Sequence, residues 1–269
     1  VATVLVTGAS AGMGKATAAR LLGEGYSVYA VARRVEEMGE LEKAGAIILA
    51  VDVTRDDELV ALVERIEGEQ GGVDVLINNA GFGLYGAVED TSIEDARYQF
   101  EVNLFGMARL TQLVLPGMRA RGSGRIVNIS SMGGKVYTPL GAWYHASKHA
   151  VEGWSDCLRV EVKPFGIDVV VIEPGFVATE FGAVLAEPML RRSGQGAYAA
   201  LAGKVAAASG GENAVKGTPA AKLAEVIVKA VSARRPRTRY VAGKYARPLM
   251  FTRKWFGDRV YDRVVMSQV

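Results

Sequence analysis

Seven short runs of β-branched and aliphatic residues recur along the chain, each separated from the next by a longer amphipathic stretch. The runs are Thr3–Val6, Ser27–Val31, Ala46–Val51, Val73–Ile77, Arg125–Ile129, Asp168–Ile172 and Arg239–Val241. Most are continuous rather than alternating. A strand with water on one face alternates apolar and polar residues, whereas a strand covered on both faces has no need to. Between the runs, Lys15–Leu22, Val35–Ala44, Asp56–Glu69, Ile93–Arg121, Trp143–Lys163 and Ala220–Ala233 place apolar residues three and four apart, as a helix with one buried stripe does. Strand and helix in alternation predict an α/β chain: a Rossmann-type doubly wound parallel sheet of about seven strands, with helices on both faces.

No internal repeat and no Pro/Ser-rich linker divides the 269 residues, so residues 1–269 are read as a single domain. One stretch breaks the rhythm. Residues 182–217 are dense in Ala and Gly and fall between the sixth and seventh strands. An insertion there is expected to be a mobile substrate lid or a pocket wall. Residues 244–269 form a tail in which Leu249-Met250-Phe251-Thr252-Arg253-Lys254-Trp255-Phe256 mixes large apolar side chains with cations. That tail is expected to pack on the pocket mouth or on a neighbouring subunit, with a weak membrane-surface contact as the other reading.

Composition removes several classes. The net charge of +3 comes from 32 basic and 29 acidic residues; so small an excess implies little about nucleic acid, which needs a concentrated basic face, and none is expected as a partner. The only histidines are His145 and His149, too few for a histidine-rich metal site, and both are expected in solvent or at an interface. Cys157 has no partner for a disulfide and is expected as a small, partly buried apolar residue. No apolar stretch reaches about 18 residues without a charge, which argues against an integral membrane segment. The strand-like opening Val1–Val6 shows no cleavable leader, and a cytoplasmic protein is expected.

Thr7-Gly8-Ala9-Ser10-Ala11-Gly12-Met13-Gly14 joins the first strand to the first helix. A turn that brings backbone against a pyrophosphate needs glycine, and the helix behind it aims N–H groups at the anion. A glycine-rich turn alone says little, but its place between a buried strand and a helix strengthens it. Gly8, Ser10, Gly12, Met13 and Gly14 are therefore expected around a dinucleotide. The second strand ends in Val31-Ala32-Arg33-Arg34. An acid at that tip would bind a ribose 2′-hydroxyl and repel a 2′-phosphate, whereas arginine accepts the phosphate. Arg33 and Arg34, with the Ser10 hydroxyl facing the same place, point to NADP(H) over NAD(H); a solvated basic loop is the plainer reading of the same residues. Asp52-Val53 ends the third strand and is placed for adenine, although the carboxylate serves equally as a turn or N-cap acid.

Tyr144-His145-Ala146-Ser147-Lys148 opens a helix. Residues four apart share a face, so Tyr144 and Lys148 can enter one cleft. A nearby ammonium favours the phenolate and brings a phenol toward the range of acid–base work. Around this pair, Asn128-Ile129-Ser130-Ser131 ends the fifth strand, Asn78-Asn79-Ala80-Gly81 follows the fourth, and Pro174-Gly175-Phe176-Val177-Ala178-Thr179 follows the sixth. All three lie at carboxyl ends of strands, where such folds bind ligands. Asn103 sits among apolar positions of a helix, where a side-chain amide needs partners.

Taken in order, the Thr-Gly-x-x-x-Gly-x-Gly turn, Asn78–Gly81, Asn103, Ser131, the Tyr144/Lys148 pair and Pro174-Gly175 resemble the short-chain dehydrogenase/reductase family, from Thr3 to Thr179. The resemblance implies that Tyr144 is the acid/base and that Lys148 holds the nicotinamide ribose and lowers the phenol's pKa. It implies that Ser131, chosen over Ser130 by its spacing to Tyr144, bonds the substrate oxygen, leaving Ser130 to bond locally. It also implies that Asn103 keeps a water in the proton relay. Asn79, Ala80 and Gly81 then resemble the turn beside the adenosine ribose, and Pro174, Gly175, Val177 and Thr179 the nicotinamide end. The stretches Tyr29–Arg33 and Arg239–Val241 weakly resemble 17β-hydroxysteroid and retinol dehydrogenases; a bacterial enzyme of lipid, polyketide or xenobiotic metabolism would look similar.

The expected pocket wall holds Phe82, Leu84, Tyr137, Leu140, Phe176 and Phe181, with Trp143 nearby and few charges. That favours a small apolar ketone or secondary alcohol over a sugar phosphate. The helical stretches Ile93–Arg121 and Trp143–Lys163 carry more apolar surface than one sheet face needs, so a homodimer or homotetramer is expected. Two rivals remain at this level: a non-catalytic NADPH-sensing regulator, and an epimerase or dehydratase of the extended branch.

Overall fold

Val4, Leu5 and Val6 are all fully buried, yet they point two ways. Val4 and Val6 pack with Ala18, Leu21, Ile227 and Val228; Leu5 packs with Leu59, Leu62, Leu110 and Leu158. Successive side chains of a strand face opposite sides. An unbroken apolar run therefore demands a cover on each side, and it has one. The computed structural model describes residues 1–178, 181–209 and 217–267.

The strands are β1 (Thr3–Thr7), β2 (Ser27–Ala32), β3 (Ile47–Ala50), β4 (Val75–Asn78), β5 (Gly124–Ile129), β6 (Ile167–Pro174), two short strands β7 (Val177–Ala178) and β8 (Thr218–Pro219), and β9 (Arg239–Ala242). Seven of them form one sheet in the order β3-β2-β1-β4-β5-β6-β9, all parallel, while β7 and β8 pair apart. The order reverses between β1 and β4. In sheets of this kind the crevice at the carboxyl ends of those two strands is the ligand site. Helices α1 (Gly12–Gly23) and α9 (Ala220–Ser232) cover one face. Helices α3 (Asp56–Gln70), α5 (Gly106–Arg121) and α6 (Ala142–Val162) cover the other. Helix α2 (Gly39–Lys43) follows a 3₁₀ turn at Val35–Met38 beside β2.

Two expectations about the fold change: one helix over Ile93–Arg121, and a partly buried Cys157. The stretch Ile93–Arg121 is not one helix: α4 (Ile93–Phe100) and α5 are joined by a π turn at Glu101–Phe105. Such turns insert a residue where a side chain must be re-aimed, and this one contains Asn103. The Ala/Gly-rich insertion is helical where described, as α7 (Phe181–Ser193) and α8 (Ala199–Ser209). Its alanines are strong helix formers, and its glycines at 194 and 196 fall at the break between the two helices, with Gly196 at φ 83°. Residues 210–216 of that insertion lie outside the described residues. Cys157, expected to be partly buried, is exposed on α6. The tail forms α10 (Ala246–Phe256) and α11 (Asp258–Met266), which pack on their own domain against Met132 and Val136.

Gly106, the first residue of α5, is buried with its Cα against the backbone of Val53. Helix propensity alone makes Gly106→Ala stabilising by about 1 kcal/mol. A methyl there would overlap the Val53 carbonyl oxygen, which is backbone and cannot swing aside. Overpacking of this kind costs about 1–3 kcal/mol and prevails. Gly106→Ala is expected to lower the thermal midpoint in a calorimetric scan; an unchanged or raised midpoint would show that α5 shifts freely.

Candidate active site

The turn between β1 and α1 is shaped by what its glycines allow. Gly8 and Gly12 are left-handed, at φ 66° and 55°. Gly14 lies against Gly8 and the Asn79 amide so closely that any Cβ would collide with both. A Cβ on Gly8 would come within 2.8 Å of the Ala80 Cα. The end of β4 is stitched to this turn: Thr7 Oγ1 accepts from the Asn79 and Ala80 amides, each at 3.0 Å, and Asn79 Nδ2 donates to the Thr7 and Gly8 carbonyls at 2.9 and 3.1 Å. Asn79 thus braces the crevice from inside. Helix α1 has no side-chain cap and no acid in its first turn. An uncapped N-terminus behind a glycine turn is a fit for a pyrophosphate, with Ser10 and Met13 half-buried at its rim.

Arg33 and Arg34 are exposed at the tip of β2, and Arg33 donates to the Tyr98 hydroxyl at 2.7 Å. Asp52 is drawn into a local turn, its Oδ1 accepting from Thr54 N and Oγ1 at 3.0 and 2.8 Å. Its neighbour Val53 is half-buried against Gly106. At the far end, Pro174 is buried and Gly175 donates to the Ala242 carbonyl, leaving no room for a Cβ against Lys244. Val177 is half-buried and pairs with Thr218. Thr179 lies outside the described residues.

Tyr144 and Lys148 are both buried on the first turns of α6. The Lys148 ammonium donates to the Ile129 carbonyl at the end of β5, at 2.9 Å. Loss of water pushes Lys148 down to about 8. Burial also pushes the Tyr144 phenol up, while a hydrogen bond with Ser131 pulls it the other way. Burial outweighs the lowering by Ser131. Ser131 Oγ accepts from the Gly133 amide at 3.0 Å, which orients the hydroxyl. Asn103 is held by three hydrogen bonds: its Oδ1 accepts from Phe82 N, and its Nδ2 donates to Phe82 O and to Ser147 Oγ, at 3.0, 3.0 and 3.1 Å. A Cβ on Gly81 would lie 3.1 Å from Asn103 Oδ1 and 3.7 Å from Lys148 Nζ, so these three positions meet. Asn78 and Asn128 face inward rather than toward the crevice. Asn78 donates to Asn128 Oδ1, and Asn128 donates to Ser155 Oγ, each at 2.9 Å, tying β4 and β5 to α6. Ser130 does not bond locally through its hydroxyl, which is buried without a hydrogen-bond partner among the described residues.

His145 is neither solvated nor at an open surface. It is buried, and desolvation drops it to about 4. Its Nε2 accepts from Thr138 N at 3.0 Å, so Nδ1 must carry the proton that goes to the Gly133 carbonyl, also at 3.0 Å. A neutral imidazole thus ties Gly133 and Thr138, in the loop that follows Ser131, to α6. Tyr85, which the sequence did not single out, stands 5.8 Å from the Tyr144 ring and bonds Thr138 Oγ1 at 3.3 Å. Leu140 holds a left-handed backbone at φ 63°, rare for a leucine, and its carbonyl accepts from Gly86. Its side chain joins Tyr85, Leu185 and Met189, so α7 and α8 cover this side of the cleft. Phe82 packs on Tyr98, and Phe176 is exposed against Tyr245. Tyr137 is engaged by the tail: its hydroxyl donates to Asp262 at 2.7 Å and its ring meets Tyr261 and Arg253. Trp143 belongs to an outer groove of about 200 Å³ lined by Ile93, Ala96, Arg97, Phe100, Glu101 and Phe105.

Behind Lys148 lies a charge cluster built on two buried carboxylates, Glu152 and Glu173. Glu152 pairs with Lys135 and Arg239, each at 3.0 Å, and Arg239 reaches Glu173 at 3.5 Å and Asp156 at 2.7 Å. Burial, followed by the neighbouring Glu152, raises Glu173 to about 7.

The chain matches the family model described as short chain dehydrogenase over residues 2–189. It is 44% identical over 179 residues to a 3-ketodihydrosphingosine reductase of Bacteroides thetaiotaomicron, spanning 66% of this chain and only 65% of that relative. Its fold superposes on a short-chain dehydrogenase from Streptomyces avermitilis with a TM-score of 0.81 and 34% identity, covering 94% and 93% of the two chains. A serine dehydrogenase in its closed form complexed with NADP+ gives 0.77 and 28%, over 90% and 94%. A short-chain dehydrogenase/reductase from Burkholderia phymatum in complex with NAD gives 0.76 and 25%, over 93% and 90%.

The buried carboxylates have a consequence for stability. Glu173 is raised from an ordinary 4.5 to about 7 in the folded protein, so its contribution is fully present below about 4.5 and is lost as pH rises through about 7. Glu173→Gln removes that loss. The thermal midpoint of the variant, relative to the parent, is expected to be higher at pH 8 than at pH 5; a difference independent of pH would contradict it.

Proposed function

The chain belongs to the short-chain dehydrogenase/reductase family, and from that premise we propose that it is an NADP(H)-dependent oxidoreductase acting on an apolar ketone or secondary alcohol. The observation that carries this reading is the meeting of Tyr144, Ser131 and Lys148 at the carboxyl edge of the sheet, beside an uncapped glycine turn. The bound dinucleotide supplies or accepts the hydride. Gly8, Ser10, Gly12, Met13 and Gly14 cradle its pyrophosphate, and Arg33 and Arg34 take its 2′-phosphate. Asp52 and Val53 border the adenine, and Asn79, Ala80 and Gly81 the adenosine ribose. Lys148 holds the nicotinamide ribose; Pro174, Gly175, Val177 and Thr179 hold the carboxamide.

Tyr144 donates its proton to the carbonyl oxygen as that oxygen gains charge, and Ser131 bonds the same oxygen. A phenol pushed up by burial keeps its proton until it is needed, which suits reduction. In the oxidative direction the ammonium of Lys148 favours the phenolate. Asn103, by holding the Phe82 backbone and Ser147, keeps the relay behind Lys148 in place. Phe82, Tyr137, Leu140 and Phe176 form the apolar wall, and α7 and α8 act as its lid. The outer faces of α4, the π turn and α6 expose Ile93, Phe105 and Val160, which supports a homodimer or homotetramer. Exposed free Cys157 suits a reducing cytoplasm.

Two substitutions test this. Tyr144→Phe keeps the ring and removes the proton; turnover of an apolar ketone, followed by NADPH absorbance, is expected to fall at least about 10²-fold, with NADPH affinity largely retained. Near-normal turnover removes Tyr144 from the mechanism, and no turnover by the parent across a ketone panel, with NADPH still bound, favours a non-catalytic sensor. Arg33→Asp places a like charge against the 2′-phosphate and is expected to weaken NADPH far more than NADH. Equal effects in titrations with both cofactors would show that Arg33 serves only Tyr98.

A further inference from the structure

Helix α10 has two working sides, and the core accounts for one. On the inner side Ala246 is buried, and Leu249 and Met250 pack against Met132, Val136, Tyr261 and Val265. Arg253 closes this side, donating to the Lys135 carbonyl at 2.7 Å with its guanidinium 4.5 Å from the Tyr137 ring centre. The outer side carries Arg247, Phe251, Lys254 and Trp255, the positions i, i+4, i+7 and i+8 of one helix face. Phe251 is 56% exposed, Trp255 66% and the adjoining Phe256 59%. The three rings cluster, with Phe251 6.2 Å from each of the others. Large aromatics grouped in solvent mark a surface that something covers.

Charge says what the cover is. Residues 244–267 hold six cations, Lys244, Arg247, Arg253, Lys254, Arg259 and Arg263, against two acids. Both acids are engaged: Asp262 accepts from the Tyr137 hydroxyl, and Asp258 pairs with Arg253 at 3.4 Å. The whole chain carries only +3, so its positive charge is concentrated at this end. Trp and Phe interleaved with Lys and Arg on one helix face suit a bilayer boundary, where rings sit at headgroup depth and cations meet anionic lipid. The core of a protein–protein interface is depleted in lysine; here Lys254 lies beside the rings, its ammonium 5.3 Å from the Trp255 ring centre. Among the described residues no helix is long and apolar enough to cross a membrane, so the contact is peripheral. The helix also starts at the pocket: Tyr245, its N-cap and 51% exposed, packs edge-on against Phe176 at 6.0 Å.

We propose that the outer face of α10 docks the protein on an anionic lipid surface, with the pocket mouth at Phe176 and Tyr245 held close to that surface. An apolar ketone partitions into lipid, so docking brings the cleft to where such a substrate collects.

The full chain is mixed with vesicles of phosphatidylcholine, and separately with vesicles enriched in phosphatidylserine, and binding is read by cosedimentation and by tryptophan emission. No turnover is involved, so the outcome is independent of the catalytic reading. Binding is expected to the anionic vesicles alone, weakening with salt and accompanied by a blue shift. Trp255→Ser and Lys254→Glu, both at exposed positions, are each expected to weaken it at least about fivefold and to leave turnover of a small water-soluble ketone unchanged. Absence of binding to either vesicle, or binding that neither variant alters, overturns the proposal. A change in oligomeric mass in the variants, without vesicle binding by the parent, also overturns it and makes this face a contact between copies of the chain.

Discussion

A single threonine hydroxyl joins the two halves of the crevice. Thr7 Oγ1, at the end of β1, takes the amides of Asn79 and Ala80 at the end of β4, while the Asn79 side chain returns two bonds to the glycine turn. β1 and β4 are the neighbours between which the strand order reverses. Their ends would otherwise diverge, since one chain leaves into α1 and the other toward α4. With the stitch in place, Gly14 has nowhere to go but against Gly8, and the N-terminus of α1 is aimed at whatever sits in the turn. The same stitch presents Gly81 to Asn103 and Lys148, so the cofactor end and the chemical end share a wall.

The chemical end depends on a frame of buried polar groups bonded to one another and to the backbone. His145, forced neutral, spans from Gly133 to Thr138 and holds the Ser131 loop against α6. The Asn78–Asn128–Ser155 chain sets α6 against the sheet, and Asn103 with Ser147 sets it against the π turn. Each group is buried, so each unmade bond would carry the full penalty of desolvation. That penalty makes the positions of Tyr144 and Lys148 stiff. The Glu152, Glu173 and Arg239 cluster lies on the far side of Lys148, where two carboxyls and a guanidinium share little water.

Strand periodicity was readable because burial on both faces leaves a plain mark: runs such as Val4-Leu5-Val6 have no polar side to show. All seven strands fall where the runs do, shifted by a residue or two at their ends. The helix over Ile93–Arg121 was readable as helix but not as two, because a π turn leaves the apolar spacing nearly intact and differs only in where its hydrogen bonds close. Tyr85 was illegible for another reason. It lies in a loop 59 residues before Tyr144, and only the path of the chain between β4 and α4 brings the rings to 5.8 Å.

What the sequence determined by itself was local or periodic: the parallel sheet, the glycine turn with its helix, and the pairing of Tyr144 with Lys148 on one helix face, because each follows from neighbours within a turn or from a repeat along a strand. What only the tertiary structure decided was environment. His145 reads as a surface histidine until Gly133 and Thr138 close on it, and the burial that raises the Tyr144 phenol against the pull of Ser131 is written in no local spacing. The partner of the Tyr137 hydroxyl, Asp262, lies 125 residues along the chain, and no local spacing announces it. Desolvation and long-range hydrogen bonds depend on which distant segments arrive to exclude water, and no spacing within a motif records that.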